Sequence, residues 1–172
     1  AIPAWNKFLQ GYYDSSGIVS DNFDQAIRFN ASGDAALTDE MKARGIELMT
    51  SVTTTVFYMG FNMADDVIGG DSERARKLRQ AISIAVNFED FISIFLNGRG
   101  VPAQGVLPPG IFGHRDGEAG VNPYVYDYVD GKYQRKPIEA ARRLLAEAGY
   151  EGGRNKETGE PLVLYFDTMS GG

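Results

Sequence analysis

Apolar residues recur at Trp5, Phe8, Leu9 and Tyr12, the three-, four- and seven-residue spacing of one helix face, and predict a helix over Trp5 to Tyr13. Gly17 and the polar run Ser20-Asp21-Asn22 break that pattern, and a short helix is expected through Phe23, Ala26 and Ile27. Residues 31–34 read as a loop. Thr38 is placed to cap a further short helix. Asp39 and Glu40 would meet its positive end, and Gly45 would stop it.

The pattern then changes. The β-branched run Val52-Thr53-Thr54-Thr55-Val56 leads into Phe57, Tyr58 and Phe61, a composition that favours strand. Near-continuous apolarity from Val56 to Phe61 is what a strand covered on both faces would show, so the fold class expected is α/β, with a mixed sheet flanked by helices. A turn from Asp65 to Gly70 precedes a helix capped by Asp71 or Ser72. Its buried side would carry Leu78, Ala81, Ile82, Ala85 and Val86, opposite a charged face with Glu73, Arg74, Arg76 and Lys77.

Asn87 can cap a second helix, whose stripe of Phe88, Phe91, Ile92, Phe95 and Leu96 is expected to pack in a core before Gly98 ends it. From Arg99 to Val121 the chain is a Gly/Pro-rich loop too long for a plain connector. Tyr124, Tyr126, Tyr128 and Tyr133 follow in a polar setting that reads as an irregular flap. Pro137 opens the last clear helix and Gly149 closes it, with Ile138, Ala141, Leu144, Leu145 and Ala148 as its buried side. Leu162 to Phe166 reads as a final strand.

Composition narrows the function. The length, 172 residues, suits one domain or a large piece of a bigger protein. A strand so close to the last residue, and the lack of a charged head and apolar stretch at the start, suggest a mature chain or an excised piece cut mid-fold. The net charge is -6 and the basic residues are scattered, so nucleic acid is not an expected partner. The absence of cysteine removes disulfides, thiolate metal sites and thiol nucleophiles. No apolar run approaches a membrane span, so no transmembrane segment is expected.

Candidate chemistry is sparse. The single histidine, His114, has no histidine partner at ligand spacing and reads as a solvated loop residue; no metal site is expected. Asp65-Asp66 and Glu89-Asp90 are sequence neighbours whose side chains diverge, which suits caps and surfaces better than an acid/base couple. Gly98-Arg99-Gly100 follows a helix rather than a strand, and neither it nor Gly69-Gly70-Asp71 has the Lys-Ser/Thr ending of a phosphate loop. Ser15, Ser16 and Ser170 have no nucleophile elbow and no base beside them. Neither a catalytic residue nor a cofactor is expected.

Four blocks in order carry a resemblance. Tyr58-Met59-Gly60-Phe61-Asn62-Met63 is followed by Leu78-Arg79-Gln80-Ala81-Ile82-Ser83-Ile84-Ala85-Val86-Asn87. Then come Asn97-Gly98-Arg99-Gly100-Val101-Pro102-Ala103 with Leu107-Pro108-Pro109-Gly110, and finally Ala140-Ala141-Arg142-Arg143-Leu144-Leu145-Ala146-Glu147-Ala148-Gly149-Tyr150. Together, over about residues 57–167, they resemble the solute-binding proteins of peptide-type ABC importers, the oligopeptide- and dipeptide-binding family 5.

The resemblance implies a bilobal, periplasmic-binding-protein-like fold that closes on its ligand by a hinge. Residues 1–45 would be a helical segment near the lobe crossover and 46–172 an incomplete second ligand-binding lobe. It implies a non-enzymatic protein, periplasmic or extracellular and held at the membrane through its transporter. Its partners would be a peptide or related small solute and the ABC permease subunits. The family includes binders of oligosaccharides, opines and metal chelates, and a solute-sensing receptor module is the alternative role. The strand ending in Phe-Asn edges the cleft in the family, which nominates Tyr58, Gly60 and Asn62 as ligand-binding residues; Gln104 and Phe112 in the Gly/Pro loop are added as candidates.

Overall fold

The computed structural model describes residues 2–29 and 35–168. In chain order its helices and strands are α1 (Ile2–Leu9), α2 (Phe23–Ala26), β1 (Ile27–Phe29), β2 (Ala35–Leu37), α3 (Asp39–Ala43), α4 (Glu73–Ala85), α5 (Phe88–Phe95), β3 (Tyr126–Val129), β4 (Lys132–Arg135) and α6 (Ile138–Glu147). Helices and small antiparallel sheets thus alternate along the chain, an α/β mixture. Residues 31–34, expected as a loop, lie outside the described residues. The chain divides into two compact units: Ala1–Val52 with Glu89–Val101, and Thr53–Phe88 with Pro102–Gly172.

In the first unit, Trp5, Phe23, Ala26, Ile27, Leu37 and Met41 form a core against which Phe8, Leu9 and Ile18 pack. Trp5 satisfies its indole N–H on the Gln25 side-chain oxygen at 3.0 Å. Strands β1 and β2 pair antiparallel, Ile27 opposite Leu37. Three-residue strands leave too short an alternation to be read in sequence.

Thr38 does precede α3, but its hydroxyl donates to the Gln25 carbonyl at 3.0 Å rather than capping the helix. Asp39 turns outward to a two-pronged pair with Arg28, at 2.6 and 3.0 Å. The stop at Gly45 is as expected. Its φ of 72° lets Gly45 N–H reach Lys42 O at 2.9 Å and Ile46 N–H reach Met41 O at 3.2 Å, the Schellman closure.

Helix α5 forms where the Phe stripe predicted it, but the stripe is not core. No residue of α5 is buried, and Phe95 keeps 66% of its surface exposed while touching Phe91 ring to ring at 5.2 Å. Periodicity determines that a helix is amphipathic; burial further needs an opposing surface. Arg99, just beyond it, is engaged within its own unit. Its guanidinium donates to Ile18 O at 2.8 Å and Ser20 Oγ at 3.0 Å and lies over the Phe23 ring, tying the loop to the unit's own core.

The second unit is built on α4 and α6. Ser72 caps α4 by accepting the Ala75 N–H at 3.2 Å. The buried face is Ala75, Leu78, Ala81 and Ile84, a stripe turned away from the expected Ala85 and Val86. Alanines 140 and 141 of α6 face it, and such small side chains let the helices approach closely; Ile138, expected inside, is exposed. Leu78, Ala148 and Tyr150 continue the core, with Arg74 stacked 4.5 Å over the Tyr150 ring. Lys77 bridges the helix pair, 2.9 Å from Glu73 and 3.1 Å from Glu147.

The expected tyrosine flap is a hairpin. Asp130 and Gly131, at φ 50° and 78°, make the left-handed two-residue turn that matches strand twist, and Tyr128 stands directly across from Tyr133 at 5.5 Å. Asp-Gly between alternating tyrosines was the available signal. Arg135 then reaches into the end of α4, donating to the carbonyls of Ser83, Ile84 and Val86 at 3.3, 3.2 and 2.9 Å. A cation thus meets carbonyls at the negative helix end.

The two apolar runs read as strands are the main departure at the level of elements. Residues 53–61 and 163–168 have no ladder among the described residues, and Phe57 and Tyr58 are 90% and 84% exposed. Side-chain composition favours an extended backbone, but a strand is completed only by a hydrogen-bonding neighbour.

Candidate functional site

These two runs bound one cavity of the second unit, about 290 Å³, lined by residues 58–60, 62, 65, 68 and 163–167. Its floor is a tight turn after the first run. Asn62 Oδ1 accepts the Ala64 N–H at 3.0 Å, and Asp65 Oδ1 accepts the N–H groups of Val67 at 2.8 Å and Ile68 at 3.0 Å. Gly69 N–H returns to Asp65 O and Gly70 N–H to Met63 O, both at 2.9 Å. Arg79, on α4, donates to the carbonyls of Ile68 and Gly70 and fixes the turn to the helix.

Gly69 cannot carry a side chain here. An added Cβ would lie 2.5 Å from the Met63 carbonyl oxygen and closer still to that of Asp65. Gly69 thus serves a close backbone approach, while Gly70 supplies the positive φ of 69° that the turn needs.

The second run is moored at its start. Leu162 N–H donates to Gly153 O at 2.7 Å beside the bridge between Arg154 and Pro161, and residues 163–167 leave this anchor to face the turn.

The electrostatics of the cavity are one-sided. Its eleven lining residues include two carboxylates, Asp65 and Asp167, and no lysine, arginine or histidine. The Ile68 backbone N–H, and after it that of Val67, holds the Asp65 carboxyl below its ordinary range. Tyr58, Tyr165 and Phe166 supply aromatic surface, with both tyrosines 84% exposed.

Of the candidates from sequence, Tyr58, Gly60 and Asn62 come together on this wall. At Gly60 an added Cβ would meet only Tyr58 Cε2, at 3.7 Å, so the position is open. Gln104 and Phe112 lie elsewhere in the unit. Gln104 accepts the Asn122 N–H at 3.2 Å and donates to Pro102 O at 3.4 Å, stapling its own loop, and Phe112 projects wholly exposed. The sequence reading passed over Asp65, which looked like a surface carboxylate, and Tyr165, Phe166 and Asp167, which join the site only through tertiary approach.

His114 is held rather than solvated. Its side chain is four-fifths covered, with Nδ1 2.7 Å from Leu107 O and Nε2 2.9 Å from Asp116 Oδ1. The Leu107 carbonyl first, and Asp116 second, raise its pKa above the ordinary histidine value. It lines no part of the cavity. Among the described residues no group of three or more His, Asp or Glu is placed to hold a metal ion, and no helix is long and apolar enough to cross a membrane.

The family model for bacterial extracellular solute-binding proteins, family 5, middle region, matches residues 5–172. The chain belongs to this family. Among curated proteins, family 5 relatives include the dipeptide-binding protein of Escherichia coli K12, 33% identical over 114 residues, 64% of this chain and 17% of the relative. The glutathione-binding protein GsiB of the same strain is 30% identical over 112 residues, 65% of this chain and 18% of that protein, and GsiB of Shigella flexneri is similar to the same extent. The chain thus spans under a fifth of the length of these relatives. No solved structure matches. Helices with small antiparallel sheets make it an α/β fragment of a family 5 domain.

Proposed function

We propose that this chain is part of the substrate-binding component of an ABC importer, capturing dipeptides or oligopeptides outside the cytoplasmic membrane, in the periplasm or extracellular space. Residues 46–172 contribute to the second lobe, residues 1–45 lie near the crossover, and the ABC permease is the partner that receives the loaded protein. The role is binding and not catalysis.

One observation carries the peptide reading. Within a family 5 chain, two stretches without regular secondary structure, whose backbone groups form no ladder among the described residues, line one cavity with aromatic side chains. N–H and C=O groups outside a ladder along such stretches suit the main chain of a peptide, which gives affinity with little dependence on sequence. Tyr58 offers a flat apolar face and a hydroxyl, Gly60 leaves room for close approach, and Asn62 stands where the run enters its turn. The names of the dipeptide- and glutathione-binding relatives point the same way and supply the first ligands to try.

Calorimetric titration with di- to pentapeptides and glutathione, run beside oligosaccharides, tests this. Saturable heat with peptides, weakened by Tyr58→Ala, is the expected result. Silence with every peptide and a response to sugars would keep the family and overturn the ligand.

A further inference from the structure

The cavity has a charge preference that main-chain capture does not use. At about 290 Å³ it is at the lower bound of small-molecule pockets, room for one long side chain with adjoining backbone rather than for a whole oligopeptide. Its lining pairs two carboxylates with aromatic rings and contains no cation, Arg79 being committed to the carbonyls of Ile68 and Gly70 on the same turn. Asp65 is anchored on one oxygen only: Oδ1 takes the Val67 and Ile68 N–H groups and leaves Oδ2 for another donor. Tyr58 and Tyr165 keep most of their surface uncovered beside it. A fixed carboxylate in a lining that also holds exposed aromatic faces attracts an organic cation by charge and by the ring quadrupole together.

Resting on the peptide reading above, we propose that this cavity is a subsite for a basic side chain of the solute. Asp65 is the fixed counter-charge, and Tyr58 and Tyr165 are the walls against which the alkyl stem and cationic head lie. A lysine ammonium, with three rotatable donors, needs only the one remaining Asp65 oxygen, and its four-carbon stem covers ring surface that is otherwise wet. Asp167 adds a second negative group to the same lining.

The test compares Ala-Lys-Ala with Ala-norleucine-Ala, which differ only by the ammonium, in calorimetric titrations of the purified protein. The lysine peptide should bind about tenfold more tightly, the sum expected of one partly exposed ion pair and one cation–π contact. Asp65→Asn retains an Oδ1 acceptor for both turn N–H groups, so the turn persists while the charge goes; it should bring the two peptides within about twofold of each other. Tyr58→Leu, at an exposed position outside the core, should weaken both peptides and narrow the lysine preference, because the ring face that attracts the ammonium is gone. Equal affinity of the wild-type protein for both peptides overturns the subsite and leaves peptide capture standing, as does a lysine preference that survives Asp65→Asn. Failure of both peptides to bind overturns the two readings together.

Discussion

Gly69→Ala should open the turn under the cavity, and the contacts are close enough to give the cost a magnitude. The new Cβ would sit 2.5 Å from Met63 O and nearer to Asp65 O, both backbone atoms that no rotamer change can move. Relief requires the 63–70 backbone to part, lengthening the Gly69-to-Asp65 and Gly70-to-Met63 hydrogen bonds of 2.9 Å. Two such bonds contribute about 1 kcal/mol each, and residual overpacking adds about 1–2 kcal/mol, for a loss of about 3–4 kcal/mol. For a chain of this size that lowers Tm by roughly 6–15 °C.

Two neighbours calibrate the result. Gly70→Ala meets open space but must hold a φ of 69°, a strain of about 1–2 kcal/mol. Gly60→Ala meets only an ordinary 3.7 Å contact and should change stability by less than about 0.5 kcal/mol. Thermal melts of the three variants should therefore rank Gly69→Ala well below Gly70→Ala, and Gly70→Ala below Gly60→Ala. A Gly69→Ala protein melting within 2 °C or so of the wild type, or above Gly70→Ala, would refute the steric argument.

Other positions give independent checks. Leu78 is fully buried between α4 and the Ala148–Tyr150 segment, so Leu78→Ala should cost about 2–5 kcal/mol in urea unfolding. Arg135→Met removes the donor to three carbonyls at the end of α4 and should cost about 1.5–3 kcal/mol, with hydrogen exchange rising first in that last helical turn. The pKa of His114 is higher in the fold than in the free chain, so the loop staple contributes fully below about pH 6.5 and is lost as pH rises through the raised folded value. Amide protection in the 107–117 loop should fall over that window in the wild type and show no such step in His114→Ala.

Local chemistry made several elements legible from sequence alone. The 3.6-residue stripes of α4 and α6, Ser72 as a cap, and the stops at Gly45 and Gly149 depend on interactions within a few residues, which one sequence contains in full. Tyr58, Gly60 and Asn62, nominated as ligand-binding residues through the family resemblance, line one cavity. What depended on distant partners was not legible. The Phe stripe of α5 and the β-rich run through Phe57 have unmistakable patterns, yet no partner among the described residues buries the first or ladders the second. Asp65 was expected in a cap or surface role, and it does accept two backbone N–H groups of its own turn; that it shares a cavity with a run roughly one hundred residues away was not legible. Sequence by itself determined where the longer helices lie and how α3 and α6 stop, because those follow from short-range sterics and capping. Which apolar faces are covered, and which carboxylate meets which ring, only the tertiary structure decided, because burial and charge pairing belong to surfaces that segments far apart in sequence make together.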